Sequence, residues 1–153
     1  MVNAKQLLQS LLSDATYGVK VYEDDGETLV PGVVSTAWLG KGVFATNGWQ
    51  ITVGPCIWTS ARVADLGALH KRYDEAIMIT VWVLEKRAVN YAAERLRNDL
   101  VHEIDRCILH FVNDPGIGFD HVNVYGWVDH DEPENGLRRS DVDVTVEYQK
   151  TRT

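Results

Sequence analysis

The sequence predicts an α+β fold: a mostly antiparallel sheet packed by one long helix (about 88–112) and a short N-terminal helix. Three stretches carry this expectation. Residues 141–149 read Asp-Val-Asp-Val-Thr-Val-Glu-Tyr-Gln, with Val142, Val144, Val146 and Tyr148 on one side and polar groups on the other. That period of two marks a strand with one dry face and one wet face. Residues 75–84 are β-branched and apolar on both sides, as a central strand requires. Between these two, Val89, Ala93, Leu96, Leu100, Ile104, Ile108 and Phe111 recur at three- or four-residue spacing, the stripe of an amphipathic helix.

The remaining elements follow in chain order. Residues 3–13 form a short helix, with Leu7, Leu8, Leu11 and Leu12 on one side and Asn3 as N-cap. Residues 19–22 are a first strand, followed by an acidic turn at 23–27 whose Asp25-Gly26 is a turn dipeptide. Residues 33–39 have strand character. Gly40, Gly42 and Gly48 then surround Val43, Phe44 and Asn47 in a flexible hairpin or long loop. Residues 51–53 and 56–63 are strand material split by Gly54-Pro55, and 64–69 is too short to assign. The long helix stops at Asn113-Asp114-Pro115-Gly116. Residues 119–128 and 138–150 are antiparallel strands joined by a polar connection, 129–136, that ends in Asn135-Gly136.

The length, 153 residues, fits one domain spanning 1–153, and a 45% hydrophobic content rules against general disorder. A net charge of −7 disfavours non-specific binding to nucleic acid, which requires Lys and Arg to displace counterions. The first residues lack the apolar stretch of a signal peptide, and no apolar run approaches about 18 residues, so the expectation is a chain kept in the cytoplasm with no membrane partner. Cys56 and Cys107 read as buried free thiols, with a disulfide between them as the alternative.

Motifs of chemistry are sparse, and no catalytic, cofactor-binding or metal-binding residue is assigned. Asp129-His130-Asp131-Glu132 sets an imidazole among carboxylates, but consecutive residues do not converge on one point, so a solvated acidic loop is expected. His102 and His110 are eight residues apart rather than four, the wrong spacing for a helical zinc pair. Nucleophile-elbow and phosphate-loop patterns do not occur, and Gly116-Ile117-Gly118 ends a helix region instead of starting one. Of the five tryptophans, Trp82 and Trp127 lie in strong strands and are expected in the core. Trp38 and Trp49 flank the glycine-rich stretch that also holds Phe44. These three aromatics are the candidate interface residues, with core packing the competing reading for Trp38 and Trp49.

The arrangement of elements over residues 15–150 resembles the tail terminator (tail completion) proteins of tailed bacteriophages and related proviruses. The resemblance rests on Thr36-Ala37-Trp38, on Ile51-Thr52-Val53 before a proline, and on Arg72-Tyr73-Asp74 leading into 77–83. It continues through the long helix from Ala88, the strand 122–127 and the closing strand 141–148. Small neck and connector proteins have a similar arrangement. The resemblance implies a structural virion protein without catalytic residues. It forms a ring with copies of itself, commonly a hexamer, at the head-proximal end of the tail. There it ends tail-tube growth, contacts the tail-tube protein and presents a surface to the head–tail connector protein. DNA would pass through without specific binding, helped by an acidic inner wall. A head-side stopper or adaptor is the alternative within that class, and a small α+β enzyme or ligand-binding domain is the alternative outside it. The glycine-rich stretch 40–48 has no place in the family pattern.

Overall fold

The structure is a computed structural model that describes residues 3–63, 70–85, 92–111 and 120–151. It is an α+β fold. In chain order come α1 (Ala4–Leu12), β1 (Gly32–Ser35), β2 (Trp49–Val63), β3 (His70–Leu84), α2 (Ala93–Phe111), β4 (His121–Asp129) and β5 (Leu137–Thr151). The five strands form one sheet in the order β1-β2-β3-β5-β4. Three of its four pairings are antiparallel; β1 runs parallel to β2, from Gly32 opposite Trp49 to Ser35 opposite Thr52.

Alternation divides the sheet into two faces. Ile51 and Val53 of β2, Ile77, Ile79, Val81 and Val83 of β3, and Val142, Val144 and Val146 of β5 are buried and meet in register. The helices cover this face: α2 lies over β3, β5 and β4, while α1 lies beside α2 over β1 and β2. From α2 come Leu96, Leu100, Val101, Ile104, Cys107, Ile108 and Phe111; from α1 come Leu8, Leu11 and Leu12. Burying an aliphatic side chain of this size contributes about 1.5–3 kcal/mol each, so this two-layer core is the main source of stability. Asn3 caps α1, its Oδ1 accepting the Gln6 N–H at 3.1 Å.

The expected helix 88–112 is described only as α2; residues 88–91 and 112 lie outside the described residues, as do 64–69 and the Gly116-Ile117-Gly118 stretch. The expected strand at 19–22 is instead an extended segment with a single bridge, Tyr22 to Leu29. The reason is where its backbone bonds go. Val19 N–H donates to Leu12 O at 2.9 Å and Lys20 N–H to Glu103 Oε1 at 3.0 Å, which tie it to the helices instead of the sheet. Gly54-Pro55 does not split the strand material at 51–63. The chain passes through it as one strand, with register shifts on both sides of Cys56. The glycine-rich stretch holds a short 3₁₀ turn, Lys41–Ala45, and is anchored by Gln50, whose side chain accepts from Leu39 N–H at 3.2 Å and donates to Gly40 O at 3.0 Å.

Candidate interaction surface

The second face of the sheet is left uncovered by the helices. Along β3 it presents Arg72, Asp74, Ala76, Met78, Thr80 and Trp82, and these stand opposite alternate residues of β5 from Gln149 to Arg139. Its upper end is partly closed by the chain itself. Trp38 packs on Trp82, ring centres 4.4 Å apart, and the Arg139 guanidinium lies 4.9 Å from the Trp82 ring. Below this the face opens into a groove of about 670 Å³.

Register places one polar row across four strands at the lower end of the groove. Ser60 pairs with Asp74, Asp74 with Glu147, and Glu147 with His121. The next row, Trp58, Ala76, Thr145 and Asn123, sets small side chains in the middle and an aromatic at one end. Tyr125 stands at the opposite wall. It is the extra residue at a register shift between Val124 and Gly126, a bulge on an edge strand, and such bulges re-aim side chains. Tyr125 is 72% exposed and Trp58 49%, and Ile57 beside it is similarly open. Ser60 and His121 are three strands apart, about 14 Å at the usual spacing, so this row holds no serine–histidine pair able to share a proton. Among the described residues no group of three His, Cys, Asp or Glu side chains could hold a metal ion.

The three aromatic candidates separate. Trp49 is 5% exposed: its ring packs over Gly32 and its Nε1 donates to Val30 O at 3.2 Å, so it is a core residue and leaves the candidate interface. Trp38 is 41% exposed but spends one face on Trp82, and Phe44 is half-buried in the 3₁₀ turn. The groove aromatics, Trp58 and Tyr125, carry no signal in the sequence that marks them as groove residues. Trp58 reads there as one more strand residue, and the bulge that redirects Tyr125 breaks the alternation that would have revealed its side. Trp127, expected in the core, is exposed, its ring nearly perpendicular to that of His102 on α2 at 5.5 Å, because β4 is an edge strand that α2 partly overhangs. Trp82 is half-buried on the open face. Cys56 is exposed, since from Pro55 to Ala61 every residue of β2 lies beyond the cover of the helices. Cys107 is buried, as expected, and burial pushes its thiol up to about 11.

The acidic connection 129–136 is exposed along most of its length, as expected of a solvated loop, and its carboxylates also form an ion-pair clamp. Arg97 projects from the apolar side of α2 and is 4% exposed. It pairs with Asp129 at 3.1 Å and with Asp131. Arg138 also reaches Asp131, at 3.1 Å, and Glu85; Arg139 joins Glu132 at 3.0 Å to Asp141 at 2.9 Å. Burial pushes the Asp131 carboxyl up, but the Arg97 hydrogen bond, the Arg139 N–H and the two guanidinium charges outweigh it and hold the group below its ordinary value. The sequence signal for this clamp was an arginine four residues after Ala93 and four before Val101, inside the helix stripe.

No known protein family matches the chain, and no curated protein sequence matches it.

Proposed function

We propose that this is a structural virion protein of the tail terminator type, a ring-forming subunit at the head-proximal end of a phage tail that ends tube growth and offers the head-joining surface. The observation that supports the reading best is the outer half of the β2–β3 hairpin. From Pro55 to Ala61 it is exposed along its length, and among the described residues no strand pairs with the outer edge of β2 beyond Thr52. An uncovered hairpin arm bearing Ile57 and Trp58 is suited to reaching a neighbouring subunit, because apolar and aromatic side chains anchor interfaces. A head-to-tail contact of that kind closes into a ring when its rotation permits.

The other edge is less suited to strand pairing. β4 carries the Tyr125 bulge, which interrupts its ladder, and bulges are one means by which edge strands avoid pairing with other chains. Contact through side chains of the hairpin arm therefore fits better than edge-to-edge addition at β4. The net charge of −7 fits passage of DNA without adhesion.

Electron microscopy of particles made without the protein tests the proposal. Tails of uncontrolled length, unjoined to heads, are expected; normal virions reject it. Supplying Trp58→Asp in place of the native chain should give the same defect from a folded subunit, since Trp58 is not part of the core.

A further inference from the structure

The open face holds charges that the fold itself does not use. Asp74 and Glu147 are direct cross-strand neighbours, an arrangement that disfavours the folded state by like-charge repulsion. Arg72 offsets Glu147 at 2.7 Å. Among the described residues the Asp74 and Asp143 side chains have no ion-pair or hydrogen-bond partner. Residues that oppose local stability tend to mark functional surface. Here they lie in a groove whose floor is small, at Ala76 and Thr145, and whose walls are Trp58 and Tyr125.

Carboxylates on either side of the floor and rings on the walls suit one kind of guest: a cation on a long apolar stem. Lys and Arg lay their methylenes along apolar surface and keep the charge at the tip. The tip can reach carboxylate oxygens, and the ring faces attract it further. Phosphate-bearing ligands are repelled by the same carboxylates. The groove crosses four strands, about 14 Å, which matches roughly four residues of extended chain.

We propose that this groove docks an extended, Lys- or Arg-bearing segment of a partner protein. The inference shares Trp58 with the tail reading but does not depend on it, and it rests on the carboxylates and aromatic walls of the groove.

The test uses a peptide of sequence Lys-Val-Arg-Val-Lys, titrated into the full chain and followed by NMR. Amide shifts should concentrate at Ser60, Ala76 and Thr145. Binding should weaken about tenfold in the double variant Asp74→Asn/Asp143→Asn, because truncating charge partners acts on affinity at close contacts. A Glu-Val-Glu-Val-Glu control should cause no shifts. The variant relieves repulsion, so its melting temperature should equal or exceed that of the parent and loss of fold cannot explain the loss of binding. Unchanged affinity in the variant, equal binding of the acidic peptide, or shifts confined to another surface would overturn the proposal. So would sedimentation showing that the free protein is an oligomer that dissociates in the variant, which would make a second copy the occupant. Particle morphology, which tests the tail reading, is a separate measurement.

Discussion

Asp74 on β3 and Glu147 on β5 stand directly opposite each other on the uncovered face, two carboxylates in one cross-strand pair. Glu147 has Arg72 at 2.7 Å, and among the described residues Asp74 has no such partner. The two positions should therefore respond differently to neutralisation. Asp74→Asn is expected to raise stability by about 0.5 kcal/mol, the scale of a cross-strand pair. Glu147→Gln should gain less or lose, since it also surrenders the Arg72 pair. Urea melts at low and high salt check this; a gain for Asp74→Asn that salt leaves untouched would point away from charge repulsion.

The Arg97 clamp should show a marked asymmetry. Arg97→Met replaces a buried cation with an apolar chain and frees Asp129 and Asp131, both partly exposed, to be hydrated. It is expected to cost about 1 kcal/mol or less. The double variant Asp129→Asn/Asp131→Asn strands the buried guanidinium and should cost about 3–5 kcal/mol. Equal losses by chemical denaturation would mean that Arg97 is better hydrated than its 4% exposure indicates.

Acid should weaken the same end of the molecule. The Asp131 carboxyl is held below its ordinary 3.8, and the Arg138 hydrogen bond holds Glu85 below its ordinary 4.5. A carboxyl lowered by folding stabilises the chain at pH above its unfolded value, and that contribution disappears as pH falls through the lower folded value. Urea midpoints should therefore be flat from neutral pH down to about 5 and fall below about 4. Arg138→Gln should lower the plateau and lessen the acid-induced drop; an identical drop in the variant would contradict the assignment.

Trp49 and Trp38 differ in what they support. Trp49→Ala empties a core site and should cost about 3–5 kcal/mol, whereas Trp38→Ala removes a ring from the surface of Trp82 and should cost about 1 kcal/mol. Gly32 sets the close approach: a Cβ there would lie 1.9 Å from Cε2 of Trp49. Gly32→Ala is thus expected to destabilise by about 1–3 kcal/mol or more through overpacking. Calorimetry of the three variants checks the ranking.

Thiol reactivity separates the two cysteines. Cys56 is exposed and should react at once with an aromatic disulfide reagent near neutral pH. Cys107 is buried, its Sγ lies 3.3 Å from Leu11 O, and it should react only at the rate at which the protein opens. Two fast thiols in the native protein would show that α1 does not stay packed on α2.

The elements with clean periodicity were legible in the sequence. The alternation at 141–149 and the stripe from Ala93 to Phe111 each emerged with the expected side buried, because one face of each meets one partner. Gly136 ends the connection before β5 at positive φ, as Asn-Gly implies. The site was much less legible. Whether an aromatic such as Trp49 turns inward depends on the parallel pairing of β1 with β2, which no local pattern encodes. The clamp needed Arg97 and Asp131, 34 residues apart, to be brought together by the packing of α2. The groove needed four strands in register, and one of them bends at a bulge. Local propensity cannot report contacts of that range.

The strand order has a consequence for how the molecule is made. β5 lies between β3 and β4, pairs with both, and is the last of the five to be synthesised. Until it leaves the ribosome, β3 and β4 share no partner and the valines that fill the middle of the core are absent. The nascent chain can form its long hairpin and α2 early, but it must wait for β5 to close. The hydrophobic faces of β3 and α2 stay open during that interval, when unpaired strand edges are most prone to misassociation.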